Sequence, residues 1–167
     1  LKGAEVQADM HAAATRHKIA FQNAVIQYSF KLDGAKSTSF SINTAKGHLC
    51  RVSITPKGFT LQKDKPTKDS TETAEKLDQV KAPISTGEWH TIQIELMGKE
   101  MLASLDGKSV GFGANDALDA DKANFGLTVS GDSASFKNLR VWEAQANPGW
   151  EAAKAKLSEE RGKTPPK

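Results

Sequence analysis

The chain has 167 residues, enough for one compact domain with a good core. Its formal charge of +3, spread among interspersed acids, excludes the concentrated basic footprint of a nucleic-acid binder. The single cysteine, Cys50, excludes an internal disulfide, and no apolar run approaches the ~20 residues of a membrane-spanning helix. The hydrophobic fraction, 38%, is low, and much of the shortfall sits in residues 63–81 and 148–167, so the rest has ordinary globular composition.

Residues 1–17 are rich in Ala, His and charge without a sustained period, and read as a lead-in with room for a short strand. The start at Leu1, not Met, is read as a processed or trimmed end from which any export signal is already gone. Residues 24–32 form a clear strand, with Ala24, Ile26, Tyr28, Phe30 and Leu32 on one face and Val25, Gln27, Ser29 and Lys31 on the other. Asp33–Gly34 ends it. Residues 37–43 continue the alternation, with Phe40 and Ile42 inward. After a turn at Lys46–Gly47, residues 48–55 turn Cys50, Val52 and Ile54 inward, against Leu49, Arg51 and Ser53. Cys50 is thereby a buried small hydrophobe and not a nucleophile. ProLysGly at 56–58 returns the chain into a short strand, 59–63.

Residues 64–81 are charged and Thr-rich, too polar for a core strand. They fit an ordered surface loop or a short exposed helix, and a loop of this length is a candidate rim for a binding site. Short alternating runs follow at 91–96, 101–105, 125–129 and 134–141, separated by MetGlyLys, AspGlyLys and SerGlyAsp, the turn chemistry of antiparallel strands. The parity of Asn138 conflicts with Phe136 and Val141 both being core, which predicts a bulge near 137–139. Trp89 and Trp142 are expected to pack at strand ends. Residues 149–161 have helical composition with Trp150, Ala153 and Leu157 on one side, and ProPro at 165–166 stops the helix. The basic cluster of Lys154, Lys156, Arg161, Lys163 and Lys167 is broken by Glu159 and Glu160 and reads as a solvated tail. The expected organisation is one β-sandwich over 1–147 and a helical, charged tail over 148–167.

The segments EWHTIQIE, MLASLDGKSV, NFGLTV and SFKNLRVW resemble a pattern of concanavalin A-like jelly-roll domains. There, a "G-x-W-h" strand is followed by one ending in "DGK" or "NGK", then by "G-h-h" and "v-x-F-x-N-h-x-V". The pattern is most similar to the 3-keto-disaccharide hydrolase domain family, with laminin-G-like carbohydrate-binding domains second. The resemblance implies an all-β, two-sheet antiparallel jelly-roll sandwich of the concanavalin A-like/glucanase type with a short C-terminal helix. It also implies a secreted or periplasmic, cell-envelope location and a carbohydrate or glycoconjugate partner. The match is good over 87–142 and loose over 24–63, and its positions are turns and core contacts. Two family features are missing: the "YE-x-Q-I-x-D"-like segment that faces the groove in the hydrolases, and the "E-x-D-x-x-E" strand that supplies paired carboxylates in the glucanases.

Alternation leaves a broad polar surface of Gln27, Ser29, Lys31, Ser39, Ser41, Asn43, Arg51, Ser53, Thr91, Gln93, Glu95, Thr128 and Ser130. Hydroxyls and amides recognise sugar hydroxyls directionally, although an antiparallel sheet ordinarily has one solvated polar face. Glu95, mid-strand, is the acid/base candidate and His48, at a strand start, its titrating partner; His90 begins a strand in the same way. Arg51, Gln93, Gln27, Asn43 and Lys31 are the candidate substrate-binding residues. No cofactor is expected. His11 and His17 lie on different faces at helical spacing, so no metal site is assigned there. Calcium has a possible seat at Asp116, Asp119 and Asp121, without the full calcium-loop pattern. Three functions stay open: hydrolysis or elimination of a modified glycoside, non-catalytic glycan binding, and a purely structural sandwich.

Overall fold

β3 (Ala24–Leu32) alternates fully buried and half-buried side chains along its length, and most of the sandwich repeats that pattern. The computed structural model describes residues 1–4 and 13–162. The strands in chain order are β1 (Lys2–Gly3), β2 (Ala13–Phe21), β3, β4 (Ala35–Thr44), β5 (Gly47–Thr55), β6 (Gly58–Lys63) and β7 (Glu75–Lys81). Then come β8 (His90–Met97), β9 (Glu100–Leu105), β10 (Ser109–Ala114), β11 (Lys122–Gly131), β12 (Ala134–Glu143) and a helix, α1 (Trp150–Glu160). They form two six-stranded sheets, β1-β12-β3-β8-β9-β10 and β2-β11-β4-β5-β6-β7, with every pairing antiparallel. This is the expected two-sheet jelly-roll sandwich.

The core lies between the sheets. Ile26, Tyr28, Phe30, Ile92 and Ile94 of the first sheet meet Phe40, Ile42, Val52, Ile54 and Leu61 of the second, all fully buried. Tyr28 stacks on Phe40 and Phe40 on Phe125, with centroids 5.3 and 4.9 Å apart. Cys50 is completely buried, and that burial pushes its thiol pKa up to about 12. The bulge expected near 137–139 is present. The β12–β3 register shifts between Lys137 and Arg140, and Asn138 takes φ 56°.

Several expectations are corrected. The lead-in forms a nine-residue strand, β2, so His17 stands on a sheet edge and not on a helix; His11 lies outside the described residues. The polar stretch 64–81 ends in a strand, β7. Its edge position lets Glu75, Lys76, Gln79 and Lys81 stay exposed while Asp78 and Val80 are buried. β10, which the sequence reading passed over, alternates poorly because Gly111 and Gly113 face inward. A Cβ at Gly111 would stand 2.8 Å from Val80 and one at Gly113 2.8 Å from Leu77, so glycine allows the edges β10 and β7 to close on each other. α1 turns Lys154 and Ser158 inward, not Ala153, because Lys154 donates to Glu100 and Glu151 at 2.6 and 2.8 Å. Those two hydrogen bonds raise the Lys154 pKa. Trp89 and Trp142 are each 43% exposed and do not pack away.

Candidate functional site

Two-residue periodicity separates inside from outside but does not say which sheet a strand joins. The residues predicted to share one hollow divide between opposite faces. Gln27 and Lys31 on β3, with Gln93 and Glu95 on β8, lie on the outer face of the first sheet. Asn43 on β4, with His48 and Arg51 on β5, lies on the outer face of the second. Glu95 therefore cannot act with His48 or Arg51, and the single composite site is corrected to two separate surfaces.

On the second sheet, a bulge makes the site. By parity with Cys50, His48 would point into the core. The β4–β5 register shifts between Ile42 and Asn43, so Leu49 is the extra residue and enters the core, and His48 comes opposite Asn43 on the outer face. Across the sheet, Asn43 also pairs with Asn124 of β11. His48 Nδ1 lies 2.8 Å from Asn43 Oδ1, and Asn43 Nδ2 donates to Asn124 Oδ1 at 2.8 Å. Asn43 Oδ1 is then an acceptor and His48 Nδ1–H its donor. This leaves His48 Nε2 as an acceptor at one end of the chain and Asn124 Nδ2 as a donor at the other.

The next row runs Arg16, Gly126, Ser41, Arg51, Gln62 across β2, β11, β4, β5 and β6. Gly126 and Ser41 give it a low floor between two arginines. Arg51 is fixed: its Nε lies 2.8 Å from both carboxylate oxygens of Asp64, which is almost fully buried and also accepts from Gln62 Nε2 at 2.8 Å. Asp64 is held in turn by its backbone N–H donating to Leu49 O at 2.7 Å. The Arg51 side chain remains 34% exposed, and its Nη groups have no partner among the described residues.

Beside these rows opens a cleft of about 450 Å³, lined by Arg16, Asn43, Lys46, His48 and Asn124 on the sheet side and by Pro66, Thr67 and Lys68 on the other. The stretch after β6 thus supplies one wall, anchored by His48 N–H donating to Pro66 O at 2.9 Å. Among the described residues no carboxylate lines the cleft. Sequence reasoning missed Asn124, Arg16 and Asp64. Asn124 was legible, since NFGLTV puts it in phase with Thr128, whereas Asp64 lay in a stretch with no period.

On the opposite face Gln27 Nε2 donates to Gln93 Oε1 at 3.2 Å, and Gln93 Nε2 to Glu95 Oε1 at 2.8 Å. Glu95 lines a small pocket of about 100 Å³ with Val25, Met97, Leu102, Glu100 and Trp150. Glu100 is engaged there by Trp150 Nε1 and Lys154. Lys31 pairs with Asp33 at 3.2 Å. His90 lies on neither surface proposed above: its Nδ1 is 2.7 Å from Asp106 Oδ2, and its Nε2 is buried without a partner among the described residues. Among the described residues no three His, Cys, Asp or Glu side chains converge to hold a metal ion; Asp116 opens a short 3₁₀ turn that Asn115 caps, its Oδ1 accepting from the Ala117 N–H at 3.0 Å, and Asp116 pairs with Lys99 at 3.7 Å. No helix among the described residues is long and apolar enough to cross a membrane.

No protein-family model matches the chain, and no curated protein is similar to it in sequence. Solved structures are similar in shape. Carbohydrate-binding module CBM66 from Bacillus subtilis aligns at a TM-score of 0.66 and 15% identity over 80% of this chain and 82% of that one. Congerin II with lactose and MES bound aligns at 0.60 and 15%, over 79% of this chain and all of the other. A candidate glycosyl hydrolase from Parabacteroides distasonis aligns at 0.59 and 14%, over 80% and 84%. Identities this low establish a shared fold, the concanavalin A-like jelly-roll sandwich.

Proposed function

We propose that the domain binds a glycan, without cleaving it, on the outer face of the second sheet. The observation that carries this reading is an open polar cleft lined by Asn43, His48 and Asn124, with the next row of the sheet supplying Arg51, an arginine outside the cleft's own lining that is already fixed by a buried carboxylate. Arg51 meets a ligand in one orientation, so little side-chain entropy is lost on binding. The Arg51 Nη groups and Asn124 Nδ2 donate, and His48 Nε2 accepts, a mixed set that suits sugar hydroxyls, which are both donors and acceptors. The cleft's size falls in the range of ordinary ligand sites. Among the described residues its lining lacks the two carboxylates that glycoside hydrolysis ordinarily needs, which favours retention over turnover. A carbohydrate-binding module and a lactose-bound congerin among the similar structures support the reading, and a secreted or cell-envelope location goes with it.

A second reading, hydrolysis or elimination of a modified glycoside as in the 3-keto-disaccharide hydrolase family, is favoured by one observation: Glu95 and Glu100 line the same pocket. Its volume is well below what a ligand site ordinarily offers, and Glu100 already holds Trp150 and Lys154. Binding is therefore preferred. The deciding experiment is a glycan array with the full chain, followed by Arg51→Ala, Asn43→Ala and Glu95→Gln. Retention of a glycan that falls at least tenfold in the first two variants and stays unchanged in the third is expected. Retention lost in Glu95→Gln but kept in Arg51→Ala, or turnover of 3-keto glycosides that needs Glu95, would overturn it.

A further inference from the structure

The outer face of the first sheet carries a different chemistry. Three rows cross β1, β12, β3 and β8: Lys2, Ser135, Lys31; then Lys137, Ser29, Thr91; then Arg140, Gln27, Gln93. Each row holds at least one cation, and between β1 and β8 none holds a carboxylate. Lys2, Lys137 and Arg140 are exposed, and Lys31 is half-buried. The bulge in β12 brings this about, because the shift between Lys137 and Arg140 returns Arg140 to the outer face after Lys137 has already taken it.

Trp89 organises the patch. It is 43% exposed, Lys137 Nζ lies 3.9 Å from its ring centroid, and Lys31 Nζ lies 5.6 Å from it. The acids that border the patch are already engaged: Asp33 is held by Lys31 and by Ser135 Oγ, which donates at 2.9 Å, Asp106 accepts from the Thr91 N–H at 2.8 Å and Glu95 from Gln93 Nε2 at 2.8 Å. Beside the cations Ser29 Oγ and Thr91 Oγ1 lie 3.3 Å apart, and the Gln27–Gln93 pair continues the polar strip.

We infer that this face is a second binding site, for an acidic glycan bearing uronate carboxylates or sulfate esters. Four cations over three rows complement a repeating anion, and the neighbouring hydroxyls and amides match sugar hydroxyls, which a phosphodiester backbone or a lipid headgroup layer offers more sparsely. In this reading Trp89 is a positioning residue that holds the Lys31 and Lys137 ammonium groups over one area. It also reports binding, because an anion that draws Lys137 away alters the environment of the indole.

The test uses the full chain with galacturonate hexamer, heparin hexasaccharide and maltohexaose, read by calorimetry and tryptophan fluorescence. Binding of at least one acidic oligomer and not of maltohexaose at this face is expected, with affinity falling at least tenfold as salt rises from low to several-fold physiological strength. The double variant Lys31→Gln/Lys137→Gln should lose at least tenfold affinity, Trp89→Ala several-fold, and Arg51→Ala nothing. These are exposed or half-exposed positions, and circular dichroism confirms that the variants fold. The inference is overturned by the absence of binding, by binding that Arg51→Ala rather than the lysine variant removes, or by equal competition from single-stranded DNA or phosphatidylserine vesicles. The Arg51 variant separates its failure from failure of the second-sheet glycan site.

Discussion

Tyr28 is the only tyrosine in the chain, it is fully buried, and its hydroxyl has no hydrogen-bond partner among the described residues. Burial alone holds the phenol far above its ordinary pKa. Leaving such a group unpaired costs about 1–3 kcal/mol. Tyr28→Phe removes that cost while keeping the ring stacked 5.3 Å from Phe40. The void left behind is about one water-sized sphere, roughly 10–15 Å³. At about 24 cal/mol per Å³ it gives back only about 0.3 kcal/mol. The net expectation is a variant more stable by about 0.7–2.7 kcal/mol, which for a chain of this size raises Tm by roughly 1–11 °C. The sign makes the test sharp, since a hydrogen-bonded tyrosine loses about 1 kcal/mol in the same substitution. Urea and thermal unfolding of the two proteins decide it, and a lower midpoint in Tyr28→Phe would show that the hydroxyl is satisfied. Alkaline titration of the parent gives an independent reading: phenolate absorbance should rise only together with unfolding.

Three further outcomes follow from buried and paired groups. Burial pushes the Asp106 carboxyl up, but donation from His90 and from the Thr91 N–H outweighs it and holds the pKa below the ordinary range. Because the folded value is the lower one, this stabilisation is complete above the unfolded value of about 3.9 and drains as pH falls through the folded value. Asp106→Asn, which keeps a side chain suited to φ 51°, should flatten part of the acid limb in urea midpoints measured from about pH 5 to pH 2. Asp33 should keep the remainder, because hydrogen bonds from Ser135 and Lys31 outweigh its burial and lower its pKa too. An unchanged limb in Asp106→Asn would refute the assignment. Cys50 should resist thiol reagents in the native protein at neutral pH and label only as urea unfolds it; fast native labelling would contradict its burial. Asp78 accepts from the buried Phe112 N–H at 2.9 Å and from both Nη groups of Arg161, so Asp78→Ala should cost about 2–4 kcal/mol in urea unfolding. A loss under about 1 kcal/mol would show that the C-terminal tie is weak.

The strands with one buried face were legible because burial writes itself into the sequence with period two: β3, β8, β9 and the core half of β5 needed nothing else. β7 was not, because an edge strand keeps most of its side chains in water, and β10 was not, because its inward positions are glycines. Leu49, expected on the outer face, was misplaced for a different reason. A one-residue bulge breaks the alternation where it falls, and its cause, Leu49 entering the core, is a tertiary preference that LCRVSI does not announce. The helix was visible, but its buried face was not, since Lys154 is drawn inward by Glu100, a residue 54 positions earlier.

The largest error, joining Glu95 to Arg51, also fixes the strongest consequence of the architecture. Sheets in a sandwich stack about 10 Å apart, and side chains on the two outer faces stand farther apart still. Between them lies a core in which Tyr28, Phe40 and Ile94 are fully buried, so a packed apolar layer separates the surfaces. Substitutions on the two faces share no partner, and their effects should add within about 0.5 kcal/mol. Arg51→Ala combined with Lys137→Gln should therefore weaken each ligand as its own single variant does, and the double variant's unfolding midpoint should equal the sum of the two shifts. Coupling above about 1 kcal/mol in either measurement would mean that the surfaces communicate through the packed layer. That result would count against treating the second-sheet cleft and the first-sheet cationic face as separate sites, while the sandwich that carries them would stand.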